Sequence, residues 1–158
     1  MVAPWEPFKS DPMAEVRSIA ANWVAVVPYA YTPQDLGRVI YNEKGRQWWG
    51  ERPEGVAETI RLAHEAGIKT MLKPQVWVHG KWTGEIDSED EKQAENWEAD
   101  YEKYILQNAQ LAENQGVELF CIGTEFRAHI KRRPHFWTGL IQKTRQVFHG
   151  KLTYSANW

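Results

Sequence analysis

Along the chain, short apolar runs alternate with longer segments whose apolar and charged residues recur at helical spacing. The runs are Asn22 to Tyr29, Ile68 to Val78, Val117 to Thr124 and Lys151 to Asn157. Among them, Val117-Glu118-Leu119-Phe120-Cys121-Ile122 has the length and the β-branched, aromatic content of a buried parallel strand. Helix punctuation falls between the runs. Asp11, with Pro12 at the first helical position, opens a segment ending near Ala21; Pro53 opens another through Ala66, stopped by Gly67. A third helix is expected from about Glu89 to Gln115 before Gly116, and a fourth from Pro134 to about His149 before Gly150. Such alternation predicts a parallel α/β sheet.

With Val2 to Trp5 counted as a strand remnant, the pattern gives about five strands and four helices, a partial barrel of the (β/α)8 TIM type. A complete eight-unit barrel takes roughly 250 residues, and the chain has 158. The expectation is therefore one partial barrel domain over residues 1–158, truncated at both ends. Met1-Val2-Ala3-Pro4 reads as the tail of a strand, and Asn157-Trp158 closes a strand that no helix follows. An open doubly wound sheet is the alternative, but no Gly-rich phosphate turn follows the first strand. Two segments after strand ends, Ala30 to Arg52 and His79 to Ser88, read as long loops on the barrel's functional rim.

Strand periodicity sorts the candidate chemistry, because alternate residues face the barrel interior. Lys73, Gln75 and Trp77 share one parity, and Leu72, Pro74, Val76 and Val78 the other; the polar set is expected inside at the rim. By the same count Leu119, Cys121, Gly123 and Glu125 form an inward column topped by the carboxylate, and Thr153, Ser155 and Asn157 make the inward set of the last strand. Glu125 ends a buried strand within Gly123-Thr124-Glu125, where a catalytic carboxyl stands in barrels; it reads equally as a cap or as a partner of Arg127. A lysine at position 73, between Leu72 and Pro74, needs a structural ion pair or a wet pocket. Trp77 fits a core or a site. Tyr29 also closes an apolar run. Trp48, Trp49 and Trp82 lie in polar, Gly-containing loops, where flat rings can stack on sugars as readily as fill a core.

Composition narrows the partners. Nine tryptophans favour carbohydrate stacking, while 42% hydrophobic and 25% charged residues describe a globular chain with no membrane span. A net charge of -2 gives no reason to expect nucleic acid, and Lys131-Arg132-Arg133 reads as a solvated turn. Cys121, the single cysteine, reads as a small core residue. His64, His79, His129, His135 and His149 show no ligand spacing, so no metal and no cofactor are expected. No signal peptide is recognisable in these residues, and nothing assigns a compartment.

Together, Gly67-Ile68-Lys69-Thr70-Met71-Leu72-Lys73-Pro74-Gln75-Val76-Trp77-Val78, Glu118 through Glu125, and Leu152-Thr153-Tyr154-Ser155-Ala156-Asn157-Trp158 resemble glycoside hydrolase family 113. Asn22-Trp23-Val24-Ala25 with Pro28-Tyr29 fits as well, so the resemblance spans essentially the whole chain. It implies a clan A barrel and a retaining β-mannanase whose general acid/base ends strand four and whose nucleophile ends strand seven. Glu125 matches the first. No residue of this chain matches the nucleophile. The resemblance further implies a β-linked, mannan-like oligosaccharide or polysaccharide partner, with Lys73, Gln75, Trp77, Asn157, Trp158, Tyr29 and Trp82 shaping its site. The alternative is a non-catalytic sugar-binding or assembly module formed by a partial barrel, whose open edges invite self-association.

Overall fold

A computed structural model describes residues 3–34, 37–42 and 47–157. Six strand segments lie in it: β1 (Trp23–Val26), β2 (Tyr29–Thr32), β3 (Lys69–Leu72), β4 (Gln75–Val78), β5 (Leu119–Thr124) and β6 (Lys151–Ser155). Five α-helices accompany them: α1 (Ala14–Ser18) before β1, α2 (Pro53–Glu65) between β2 and β3, α3 (Glu91–Asn114) between β4 and β5, and α4 (Arg127–Arg132) and α5 (Pro134–Val147) between β5 and β6. These strands pair with one another in parallel, in the order β1-β3-β5-β6 and, in a second sheet, β2-β4, and an isolated antiparallel bridge joins Tyr31 of β2 to Ile40.

Two apolar runs expected to be single strands are each interrupted at a proline. Pro28 separates β1 from β2 and Pro74 separates β3 from β4; proline has no N–H to give a ladder. The breaks lie side by side. Trp23 pairs with Lys69 before them and Tyr29 with Gln75 after them, at the same sequence offset, so the strands bend without slipping register. At the bend the Pro28 carbonyl accepts from both the Gln75 N–H (2.9 Å) and the Tyr104 hydroxyl of α3 (3.0 Å), which ties the paired breaks to that helix. Ala30 to Thr32, expected in a loop, are thus strand, and the chain beyond them is partly outside the described residues. Of the strand remnant expected at Val2 to Trp5, Ala3 to Trp5 are not strand and Val2 lies outside the described residues.

One face of the sheets is buried under α2, α3 and α5. Leu72, Val76, Val78 and Phe120 meet Ile60, Trp97, Tyr101, Ile105 and Leu140 there, in one continuous core. Proline at the first helical position opens α2 and α5. Asp90 caps α3, accepting from the Lys92 and Gln93 N–H groups (2.8 and 3.1 Å), and the left-handed Gly67 and Gly116 follow α2 and α3. The first helix is shorter than its punctuation suggests, covering only Ala14–Ser18.

A fifth helix, α4, stands where a solvated basic turn was expected. Lys131 is exposed, but Arg133 folds back onto Glu91 (2.8 Å) and Glu98 (3.6 Å), and Arg132 pairs with Asp87 (2.8 Å). These pairs fasten the chain after β5 to the segment entering α3. At the far end of the sheet, Glu118 accepts from the Thr70 N–H (2.8 Å) and approaches His64 (3.3 Å), so this carboxylate is a structural latch between β3, β5 and α2.

Candidate active site

The opposite face of the sheets carries the second parity set: Lys69, Met71, Lys73, Gln75 and Trp77 alternate with buried Thr70, Leu72, Pro74, Val76 and Val78. At the carboxyl end of β5 stands Glu125. Its φ is 60°, a left-handed conformation that side chains other than glycine enter at a cost of roughly 1–3 kcal/mol. The surrounding bonds hold it there. Glu125 N–H donates to the Ser155 carbonyl (2.8 Å), its own carbonyl accepts from Arg127 N–H (2.7 Å), and the next amide, Phe126 N–H, donates to the Tyr154 hydroxyl (2.7 Å).

The inward column expected from Leu119 through Glu125 is broken. Cys121 pairs with Thr153 and Thr124 with Ser155, so a bulge intervenes at Ile122-Gly123. A Cβ on Gly123 would meet Trp137 of α5 at 2.7 Å and Tyr154 at 2.8 Å, which turns that position toward the helix layer. The bulge, with the left-handed residue after it, sets the direction of Glu125. Cys121 is buried, as its apolar run predicts.

The Glu125 carboxyl is half-buried, and its Oε2 accepts from the Trp82 indole N–H at 2.7 Å. Arg127, read from sequence as a possible partner of Glu125, instead places its guanidinium over the Trp82 ring, 5.0 Å from the centroid. The indole also lies against Gly84, where a Cβ would come within 2.5 Å of its benzene carbons. Trp82 thereby bridges the loop after β4 and the end of β5.

Beyond Glu125, Trp77 is 53% exposed, with Tyr31 inclined against it (centroids 5.7 Å apart, planes 30° apart) and His79 at its edge. These rings border a cleft of about 700 Å³ lined by Tyr29, Tyr31, Tyr41, Trp48, Glu51 and Trp77, among others. Gln47 donates to the Tyr29 carbonyl (2.6 Å), holding the cleft wall to β2. Burial raises the Glu51 carboxyl above its ordinary value, against the Trp48 N–H, which lowers it. Nothing in the sequence singled out Glu51 or Tyr41. Glu125 does not line the cleft; Trp77 connects the two regions by strand position.

The remaining candidates divide. Lys73 and Gln75 are half-buried on the Trp77 face, and among the described residues Lys73 forms no ion pair. Asn157 is exposed just beyond β6, two residues past the Ser155 carbonyl that holds Glu125. Trp158 lies outside the described residues. Trp49 is half-buried against Phe8, whereas Trp48 leans on Trp5 at the cleft. Among the described residues no group of three or more His, Cys, Asp and Glu side chains is arranged to hold a metal, and no helix is long and apolar enough to cross a membrane.

The model for Glycoside Hydrolase Family 113 matches residues 6–158. The chain belongs to this family. Its fold superposes on the GH113 β-mannanase AaManA from Alicyclobacillus acidocaldarius, in complex with ManMIm, with a TM-score of 0.80 and 26% identity over 94% of this chain and 49% of that one. Structures of a GH113 β-1,4-mannanase, one of them a complex, match with a TM-score of 0.76 and 25% identity over 91% and 47%. The chain therefore spans about half the length of these structures, and the fold is a partial barrel of the TIM type. No curated protein matches it by sequence. In this family 113 member the rim of the partial barrel is the end where Glu125, Trp77 and Trp82 lie.

Under Glu125 the helix layer is aromatic. His129, buried, accepts through Nδ1 from the Trp137 indole N–H (3.0 Å), which leaves Nε2 carrying the proton, 3.5 Å from Glu98. Burial, and then the Arg133 charge, push its pKa down to about 4, so it is neutral and structural.

Proposed function

We propose that residues 1–158 form part of a single catalytic barrel, that of a retaining glycoside hydrolase of endo-β-1,4-mannanase type, with Glu125 as general acid/base. Family membership and the likeness to β-mannanases support the reaction class. The observation that carries the residue assignment is a half-buried carboxyl held left-handed at the end of β5, with an indole N–H on one oxygen. In such a mechanism the acid protonates the departing glycosidic oxygen while a second carboxylate, about 5–5.5 Å away, bonds to the anomeric carbon; the resulting carboxylate then takes a proton from water. Among the described residues no other Asp or Glu directly follows the carboxyl end of a strand. The nucleophile is therefore assigned to the part of the barrel beyond these strands.

The substrate is a β-linked, mannan-like chain. Trp77 and Tyr29 offer exposed ring faces for its sugars, and Lys73, Gln75 and Asn157 offer hydrogen bonds; Trp158, outside the described residues, is included by family resemblance. The test is Glu125→Gln in the protein produced from its whole coding sequence. Turnover of mannooligosaccharide is expected to fall by about 10²–10⁴-fold, with a smaller effect on glycosylation by activated aryl glycosides. Equal activity of the variant and the wild type would remove Glu125 from the mechanism.

A further inference from the structure

We propose that Trp82 is a positioning residue that fixes which oxygen of Glu125 carries the transferable proton; this rests on the acid/base reading above. Sequence reasoning places Trp82 among the sugar-stacking rings, but its contacts are with the protein. The ring rests against Gly84, Arg127 covers it, and its N–H points at Glu125 Oε2 from 2.7 Å. An indole N–H donates and never accepts. A proton on Oε2 aimed at it would set two hydrogens against each other, so in the acid form Oε2 is the carbonyl oxygen and Oε1 bears the proton. During glycosylation the Oε1–H bond breaks and its proton passes to the glycosidic oxygen as that oxygen leaves the anomeric carbon. In deglycosylation Oε1 takes a proton from the attacking water. The indole bond persists through both steps, so Oε1 stays turned to the reaction and the carboxyl cannot rotate between the two. The positive charge of Arg127 over the ring draws electron density from the indole and strengthens the donor.

The experiment compares wild type, Trp82→Phe and Glu125→Gln, each produced from the whole coding sequence, on a mannooligosaccharide and on an aryl β-mannoside with a strongly acidic phenol as leaving group. Phenylalanine keeps an aromatic ring but loses the donor and part of the indole's packing surface, and the loss of packing should act alike on both substrates. In Trp82→Phe, kcat/KM on the mannooligosaccharide is expected to fall about tenfold to a hundredfold, the factor a charge-assisted hydrogen bond is worth. On the aryl mannoside, whose leaving group needs little protonation, kcat/KM should change less than about threefold on the same reasoning. Near-wild-type values on both substrates would return Trp82 to sugar stacking, and equal losses on both would make it merely structural; either overturns the proposal. If Trp82→Phe does not fold, Gly84→Ala decides by the same comparison, because its methyl displaces the indole and removes no hydrogen-bonding group. Absence of any leaving-group dependence in Glu125→Gln would instead defeat the acid/base reading itself.

Discussion

Gly123→Ala tests whether the bulge under Glu125 depends on close approach to the helix layer. The added methyl would stand 2.7 Å from Trp137 Cζ3, 2.9 Å from Trp137 Cη2 and 2.8 Å from Tyr154 Cε2, where carbon contacts normally lie at about 3.5–4.0 Å. Relief needs roughly 0.7–1 Å of movement by those rings or by the strand. Neither ring is free. Trp137 is buried among Tyr101, Phe126, His129 and Phe136 and gives its N–H to His129, while the Tyr154 hydroxyl accepts from Phe126 N–H. Overpacking of this kind costs about 1–3 kcal/mol, and the lower entropy of an unfolded chain with alanine returns about 0.4–1 kcal/mol. The net loss is about 1–2 kcal/mol, or a Tm lower by about 2–8 °C for a domain of this size. Thermal unfolding followed by near-ultraviolet circular dichroism measures it. Activity on mannooligosaccharide should also fall, because Tyr154 holds the amide next to Glu125. An unchanged or raised Tm would show that the rings yield freely and that the bulge does not depend on glycine.

Acid stability should carry a His129 component: its folded pKa of about 4 lies below the ordinary histidine value of 6.5, so the unfolded chain takes up the proton first and stability falls as pH drops from about 6.5 to 4. At the low end the loss is up to about 3 kcal/mol, and His129→Gln should flatten the pH dependence of Tm across that window; an identical slope would refute it. Trp77→Ala should weaken mannooligosaccharide binding by about tenfold or more, read by tryptophan fluorescence titration; unchanged affinity in a folded variant would return Trp77 to packing. The 158 residues expressed alone should self-associate and release no reducing sugar from mannan, since β1 and β6 each have one described partner and Trp23 and Trp77 are exposed. A stable monomer by light scattering would contradict the first expectation, and sugar release abolished by Glu125→Gln would contradict the second.

The legible parts of the molecule are those governed by local rules. First-turn prolines open α2 and α5 and left-handed glycines close α2 and α3, and all three helices fall within two residues of the expected bounds because such signals act within one helical turn. Gly150, expected to close α5 in the same way, is not left-handed, and that helix ends at the extended Phe148. Period two sorts Lys73, Gln75 and Trp77 correctly even across Pro74, since the neighbouring strand breaks at the matching proline and keeps register. The same count fails in β5: a bulge consumes a residue, and the space that admits it is made by Trp137 and Tyr154 from elsewhere in the chain. Helix α4 escaped for a similar reason. Its charged sequence lacks an apolar stripe, and partners on the segment leading into α3 fasten its arginine-rich end. Glu51 and Tyr41 join the cleft only through tertiary folding.

These failures have one cause, and it bears on how the site works. Apart from the local bond from Arg127 N–H, the features that aim Glu125 come from other segments: Ser155 and Tyr154 fix its backbone, Trp82 holds one oxygen, and Trp137 shapes the bulge below. A carboxyl at a strand end is common and cheap to place. One held in a left-handed conformation persists only because its surroundings outweigh the strain, and those surroundings are β6, the loop after β4 and the aromatic helix layer packed behind the bulge. Substitutions in that layer should therefore reach catalysis through the backbone at Glu125, changing turnover more than substrate affinity, whereas substitutions at Trp77 or Tyr29 should change affinity and leave the acid/base geometry intact.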